Sequence, residues 1–191
     1  MGINGVVSSG LQDYLEYVTS EEQSILNSAF QVTLGVDKEL EGGKFVGLDF
    51  SYELNSFNAP GVVNQYTLEY SLYSPSIMYG WQSTGKGYKL RFGVGAGPRF
   101  ITFTESGFGS NLKVQYNSIG YGFLVKAEAA TAIASNVYAV IAGDLRFNSL
   151  GTIKESQSIS PAWAGFQTSA VPALTYTTYS PGLTIGILVT L

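Results

Sequence analysis

The sequence predicts an all-β fold: an eight-stranded antiparallel up-and-down transmembrane β-barrel with long external loops. Three observations carry that prediction. Apolar residues alternate with small, polar or charged ones in one segment after another, the period of a strand with one greasy face. The charged positions fall on the face that a soluble barrel would bury, so the apolar face is left for the outside. The connections between segments run short, long, short, as in a meander that crosses a bilayer and returns.

The alternation and the turn signals place strands near 3–9, 29–40, 44–57, 64–81, 87–104, 112–132, 136–149 and 175–191. The first, Ile3 to Ser9, is brief and of ambiguous phase, and reads either as a short strand or as a tail. In the second, Phe30, Val32, Leu34 and Val36 alternate with Gln31, Thr33, Gly35 and Asp37. The third sets Val46, Leu48, Phe50, Tyr52 and Leu54 against Gly47, Asp49, Ser51, Glu53 and Asn55. Within the fourth, Tyr66, Leu68, Tyr70 and Leu72 keep one phase and Ile77, Tyr79 and Trp81 the other. Ser74-Pro75-Ser76 lies between them, and because proline cannot donate to a ladder a bulge is expected there.

The fifth strand points Tyr88, Leu90, Phe92, Val94 and Ala96 outward and Lys89, Arg91, Gly93, Gly95, Gly97 and Arg99 inward. A similar switch of phase occurs in the sixth near Asn117-Ser118, after which Ile119, Tyr121, Phe123, Val125, Ala127 and Ala129 share a face and leave Lys126 and Glu128 inside. The seventh turns Ala139, Ile141, Gly143, Leu145 and Phe147 outward and Tyr138, Asp144 and Arg146 inward. The last alternates Leu183, Ile185, Ile187, Val189 and Leu191 with Gly182, Thr184, Gly186, Leu188 and Thr190.

Residues 41–43, 82–86 and 133–135 form the short connections, 10–28 and 150–174 the long ones, and 58–63 and 105–111 those of middling length. With an even strand count both termini fall on the short-turn side. Glu41-Gly42-Gly43-Lys44, Thr84-Gly85-Lys86-Gly87 and Ser135-Asn136 supply Gly or Asn where a tight turn asks for positive φ. In the first long loop, Leu11, Tyr14, Leu15 and Val18 stand at helical spacing. That segment is either a short amphipathic helix or a loop packed on its own aromatics.

Composition narrows the chemistry. The chain of 191 residues reads as one domain over 1–191, and with no Cys and no His it lacks a disulfide, a thiol nucleophile, an imidazole base and a soft-ligand metal site. No apolar run is long enough for a transmembrane helix. Met1-Gly2-Ile3-Asn4 lacks the regions of a signal peptide, so Met1, with Gly2, reads as an expression start fused to a mature sequence whose signal peptide has been removed.

Carried across the strands, this parity sends Asp49, Glu53, Glu69, Glu128 and Asp144 inward against Lys89, Arg91, Arg99, Lys126 and Arg146, a lumen neutral by pairing. It holds every Arg of the chain. An eight-stranded barrel is filled by its own side chains, and an unpaired buried charge is costly, so these groups are expected to form a salt-bridged plug. A narrow polar conduit or proton path is the other reading. The glycines of the fifth strand are expected to make room for long side chains opposite. They sit mid-strand with no helix after them, so they do not form a phosphate loop.

The net charge of −4 falls on the outer side, where Asp13, Glu16, Glu21, Glu22, Glu105 and Glu155 outnumber Lys113 and Lys154. Trp81, Tyr79 and Tyr88 beside one turn, and Phe57, Tyr66, Phe103 and Tyr116 toward the other strand ends, read as two aromatic belts. The last long loop carries Ile159, Trp163 and Phe166, either an external binding surface or a cover that packs on its own barrel.

The ending Gly186-Ile187-Leu188-Val189-Thr190-Leu191 resembles the terminal signal of bacterial outer-membrane barrels, with Gly186, Val189 and Leu191 at its marked positions. Gly93-Val94-Gly95-Ala96-Gly97-Pro98-Arg99-Phe100 is similar to Gly-rich strands of the same group. On these segments the chain resembles the OmpA/OmpX-like small outer-membrane β-barrel superfamily, the outer membrane protein β-barrel domain. The resemblance implies a bacterial outer membrane, with its lipid bilayer and the barrel-assembly machinery as partners. It implies no substrate. Enzymes of this shape resemble one another in relying on a His, which is missing here, and Asp49 with Glu53 fits a salt network better than an acid-base pair. Neither cofactor nor metal is expected, and the acidic loops argue against nucleic acid.

The expected function is that of a non-catalytic structural or interaction barrel working through its external loops, where a protein partner could bind. The alternative is a small channel or carrier for small polar or hydrophobic molecules across the outer membrane. A soluble ligand carrier, with the apolar face inside, is a third reading.

Overall fold

The computed structural model describes residues 1–8, 28–59, 66–106, 113–152, 154–155 and 175–190. The strands are β1 (Gly2–Gly5), β2 (Ser28–Leu40), β3 (Lys44–Ala59), β4 (Tyr66–Gly85), β5 (Tyr88–Ser106), β6 (Lys113–Ala134), β7 (Val137–Thr152), β8 (Lys154–Glu155) and β9 (Thr175–Val189). Each of β2 to β6 pairs antiparallel with the next, β7 pairs with β9, and β9 returns through β1 to β2. Eight strands therefore close a ring of hydrogen bonds, with the two-residue β8 attached to β6 outside it. β1 joins β2 to β9 only over Gly2–Gly5, so toward the turns, from Val32 on β2 and beyond Ile185 on β9, these two strands are not paired with each other among the described residues.

The turns explain the first differences from the sequence reading. Glu41–Gly43 carries two glycines at φ 73° and 69°, and Gly87 sits at φ 80°. The β4–β5 turn is thus only Lys86-Gly87, and strand pairing runs on to Gly85↔Tyr88. β1 is shorter than 3–9, although its alternation continues: Asn4, Val6 and Ser8 are buried, Ile3 and Val7 are exposed, and Val7 makes an isolated bridge to Tyr179.

On the outside of the ring, Leu34, Val36, Leu48, Ile77, Leu90, Ile119, Ile141, Leu183, Ile185 and Ile187 stand exposed as a continuous apolar belt. Aromatic rings bound it at both ends. Tyr79, Trp81 and Tyr88 lie toward the turns, with Tyr79 and Trp81 edge-on at 5.8 Å. Tyr52, Tyr73, Phe100, Tyr121 and Tyr179 lie toward the loops. The upper girdle is not the one the sequence suggested: Phe57 and Phe103 are buried inside the barrel. At about 3.3 Å per residue and a strand tilt of about 40°, the stretch from Tyr88 to Phe100 rises about 30 Å, the depth of a hydrocarbon core.

Above that girdle the two faces exchange their chemistry. Leu68, Tyr70 and Leu72 of β4 and Ile101 and Phe103 of β5 are buried, while Ser56, Glu69 and Asn117 face outward and are exposed. No register shift accompanies the change. Pairing of β3 with β4 is unbroken from Lys44↔Trp81 to Ala59↔Tyr66, and that of β5 with β6 from Tyr88↔Thr131 to Ser106↔Lys113. The bulge expected at Ser74-Pro75-Ser76 is therefore absent, and so is any slip at Asn117-Ser118. Parity persists while the environment inverts: an upper storey with an apolar core and a polar outer wall stands on a lower storey with the opposite arrangement.

Candidate functional site

The lumen is where the chain concentrates its buried polar groups. Since alternate residues of every strand point inward, the register decides which of them meet. On the turn side, Lys89 Nζ lies 2.9 Å from Glu39. Deeper in, charges of alternating sign form a ladder: Asp37 to Arg91 at 2.7 Å, Arg91 to Glu128 at 3.1 Å, Glu128 to Lys126 at 2.9 Å. It continues from Lys126 to Asp49 at 3.2 Å, Asp49 to Arg146 at 3.8 Å, and Arg146 to Asp144 at 2.6 Å. The adjacency of Asp49 and Lys126 is not local in sequence; it joins β3 and β6 across the barrel.

Apolar groups share this storey. Phe45, Met78 and Leu124 form a buried cluster, and the Arg91 guanidinium sits 4.2 Å from the centroid of the Phe45 ring. The glycines of β5 make room for this cluster. A Cβ on Gly93 would come within 2.9 Å of Phe45, and one on Gly95 would collide with the Met78 sulfur. The long side chains for which these two glycines make room are Phe45 and Met78. A cavity of about 170 Å³ remains, lined by Phe45, Asp49, Met78, Arg91, Lys126 and Glu128 among others.

A layer follows in which neutral polar groups hold Arg99 and Glu53. Arg99 is fully buried; it donates from Nε to Asn148 Oδ1 at 2.8 Å and from Nη1 to the Pro75 and Pro98 carbonyls at 3.0 and 2.9 Å. Asn148 in turn donates to Thr178 at 3.1 Å. Arg146 donates to Ser51 Oγ at 2.6 Å, and Asn4 and Tyr70 donate to the two oxygens of Glu53 at 2.9 and 2.7 Å.

The loop-side storey is sealed by hydrocarbon. Tyr70, Phe103 and Tyr176 make a triangle of rings with centroids 5.5–5.6 Å apart. Leu68, Leu72, Ile101 and Leu150 are buried around it. Rings at this separation in tilted and edge-on poses attract.

Set against the sequence reading, the structure brings Asp49, Lys89, Arg91, Lys126, Glu128, Asp144 and Arg146 into ion pairs. Glu53 and Arg99 are inside, but they make no ion pair among the described residues and are held by neutral partners. Glu69 is a correction: it lies exposed on the outer wall, opposite Ser56 and Thr104. Its assignment to the lumen assumed a bulge, and without the bulge the parity of β4 carries it outward. Asp37 and Glu39 were not in the expected lumen set, yet they share the inward phase of Gly35 on β2 and pair with Arg91 and Lys89. Glu105, expected among the loop-side charges, stands at the loop end of β5, where it is buried and accepts from the Tyr116 hydroxyl at 3.0 Å. Gly186 and Val189 lie on β9, while Leu191 and the loop residues Ile159, Trp163 and Phe166 fall outside the described residues. The helix considered for 11–18 falls outside them too. Among the described residues there is no cluster of acidic side chains suited to a metal.

Comparison with protein-family models and with curated proteins gives no match. Among solved structures, Neisserial surface protein A (NspA) aligns over 100% of this chain and 92% of its own, at 16% identity and a TM-score of 0.49.

Proposed function

We propose that the chain is a small outer-membrane β-barrel of the OmpA/OmpX-like kind, non-catalytic, with a sealed lumen, acting as a structural or interaction protein through the parts that stand outside the bilayer. The belt of exposed aliphatic side chains between two aromatic girdles supports membrane insertion, because no soluble fold leaves so continuous an apolar surface in water. The observation that carries the functional reading is the double closure of the lumen. A ladder of ion pairs crosses the turn side, beside a cavity of about 170 Å³, and the Tyr70, Phe103, Tyr176 triangle occupies the loop side. A permeant ion would have to break the first and dissolve in the second. With the interior given over to packing, recognition is left to the external loops and the upper wall.

The test is single-channel conductance of the detergent-folded protein in planar bilayers, beside Arg91→Ala and a deletion of 155–170. Insertion is scored by vesicle flotation and heat-modifiable migration. Silent bilayers for the inserted wild-type protein are expected. Steady conductance that changes with either variant would overturn the sealed barrel and make the chain a channel.

A further inference from the structure

The outer face of β3 to β5 above the upper girdle is polar, and it is concave. Tyr52, Ser56, Glu69, Ser71, Thr102 and Thr104 line a groove of about 480 Å³ there, with Leu54 at its foot. The register puts these groups side by side: Leu54 faces Ser71, Ser56 faces Glu69, Ser71 faces Thr102, and Glu69 faces Thr104. Directly below, the rings of Tyr52 and Tyr73 lie 4.6 Å apart. From the membrane reading above, we infer that this groove holds the uncharged sugar headgroup of a glycolipid in the surrounding leaflet.

Three features select that occupant. The groove begins where the lipid-facing belt ends, so its foot of Leu54 and Tyr52 is continuous with surface covered by acyl chains, while its walls stand at headgroup height. A ligand with a hydrocarbon part and a polyol part meets both without a break; a free sugar would leave the apolar foot unused. The walls offer hydroxyls, which both donate and accept, and one carboxylate, which accepts from sugar hydroxyls. Among the described residues that line it there is no Lys or Arg to attract a phosphate. Glu69, exposed on the groove wall, has no partner among the described residues. Aromatic faces beside hydroxyl and carboxylate groups match the two surfaces of a pyranose, its C–H face and its hydroxyl rim.

The experiment is native mass spectrometry of the detergent-folded protein with diglucosyl diacylglycerol, against phosphatidylglycerol and free maltose. One glycolipid should stay bound under conditions that strip phosphatidylglycerol, and maltose should not bind measurably. Ser71→Leu with Thr102→Leu removes two hydrogen-bonding groups and should weaken retention about tenfold or more. Glu69→Gln keeps the size of the side chain and should weaken it severalfold, which preserves the test if the double variant folds poorly. Thr177→Leu, on β9, should change nothing. Equal retention of phosphatidylglycerol, indifference to both groove variants, or maltose binding as tight as the glycolipid would each overturn the proposal. Failure of the wild-type protein to float with vesicles would instead overturn the membrane reading on which it rests.

Discussion

If the lumen charges hold the barrel together as pairs, the cost of losing a cation should grow with the burial of the acid it leaves behind. Arg146→Met is the severe case. Arg146 contacts Asp144 at 2.6 Å, and their side chains are 2% and 1% exposed, so the variant strands a carboxylate with almost no access to water. Removing one partner of a buried pair costs about 3–5 kcal/mol. Arg91→Met is intermediate: its acids, Asp37 and Glu128, are 26% and 16% exposed, and Glu128 keeps Lys126 at 2.9 Å. A loss of about 1–3 kcal/mol is expected there, the range for hydrogen bonds to charged groups. Lys89→Met strands only Glu39, whose side chain is 55% exposed, and should cost less than about 1 kcal/mol. The measurement is equilibrium urea unfolding in lipid vesicles, followed by tryptophan fluorescence. Adding Asp144→Asn to Arg146→Met removes the stranded charge, so the double variant should recover most of the loss, a coupling visible in the cycle. Equal costs for all three substitutions, or no recovery in the double variant, would show that burial of pairs is not what stabilises the lumen.

Other expectations follow from the two storeys and their turns. Phe103→Ala opens the loop-side seal; with the ring fully buried between Tyr70 and Tyr176 it should cost about 3–5 kcal/mol in the same unfolding assay. Leu48→Arg places a cation on the exposed belt and should cost about 2–4 kcal/mol in vesicles, whereas Thr104→Arg, above the girdle, should cost nearly nothing. Equal costs for these two would move the membrane boundary. Gly87→Ala adds a methyl group in open space at φ 80° and should lose about 1–2 kcal/mol through backbone strain alone. Gly97→Ala should be far worse, because its Cβ would collide with the Pro75 carbonyl, and it is expected to abolish heat-modifiable folding.

The lower storey was legible in the sequence because one physical rule governs it: lipid outside, pairing inside, period of two. That rule placed Leu34, Asp49, Arg91, Lys126 and Arg146 on their proper faces with nothing else known. The upper storey was misread because the rule changes while the chain geometry does not. Between Leu72 and Ile77 the apolar residues move from even to odd positions, and a local reading can account for this only by a bulge. The pairing shows the other possibility: β4 keeps its register through Ser74, Pro75 and Ser76, and what changes is the surroundings, from bilayer to water. Pro75 faces outward there, and its carbonyl accepts from Arg99. The same error moved Glu69 into the lumen and put Phe103 in a membrane girdle. A sequence signal could have prevented it. The inversion recurs in β4, β5 and β6 at matched positions, near Tyr73, Phe100 and Ile119, which the register places in adjoining rows. A bulge is a defect of one strand pair, whereas neighbouring strands that exchange faces along one line mark a surface where the solvent changes. On the membrane reading proposed above, that line is the upper boundary of the bilayer, and the groove holding Glu69 begins on it.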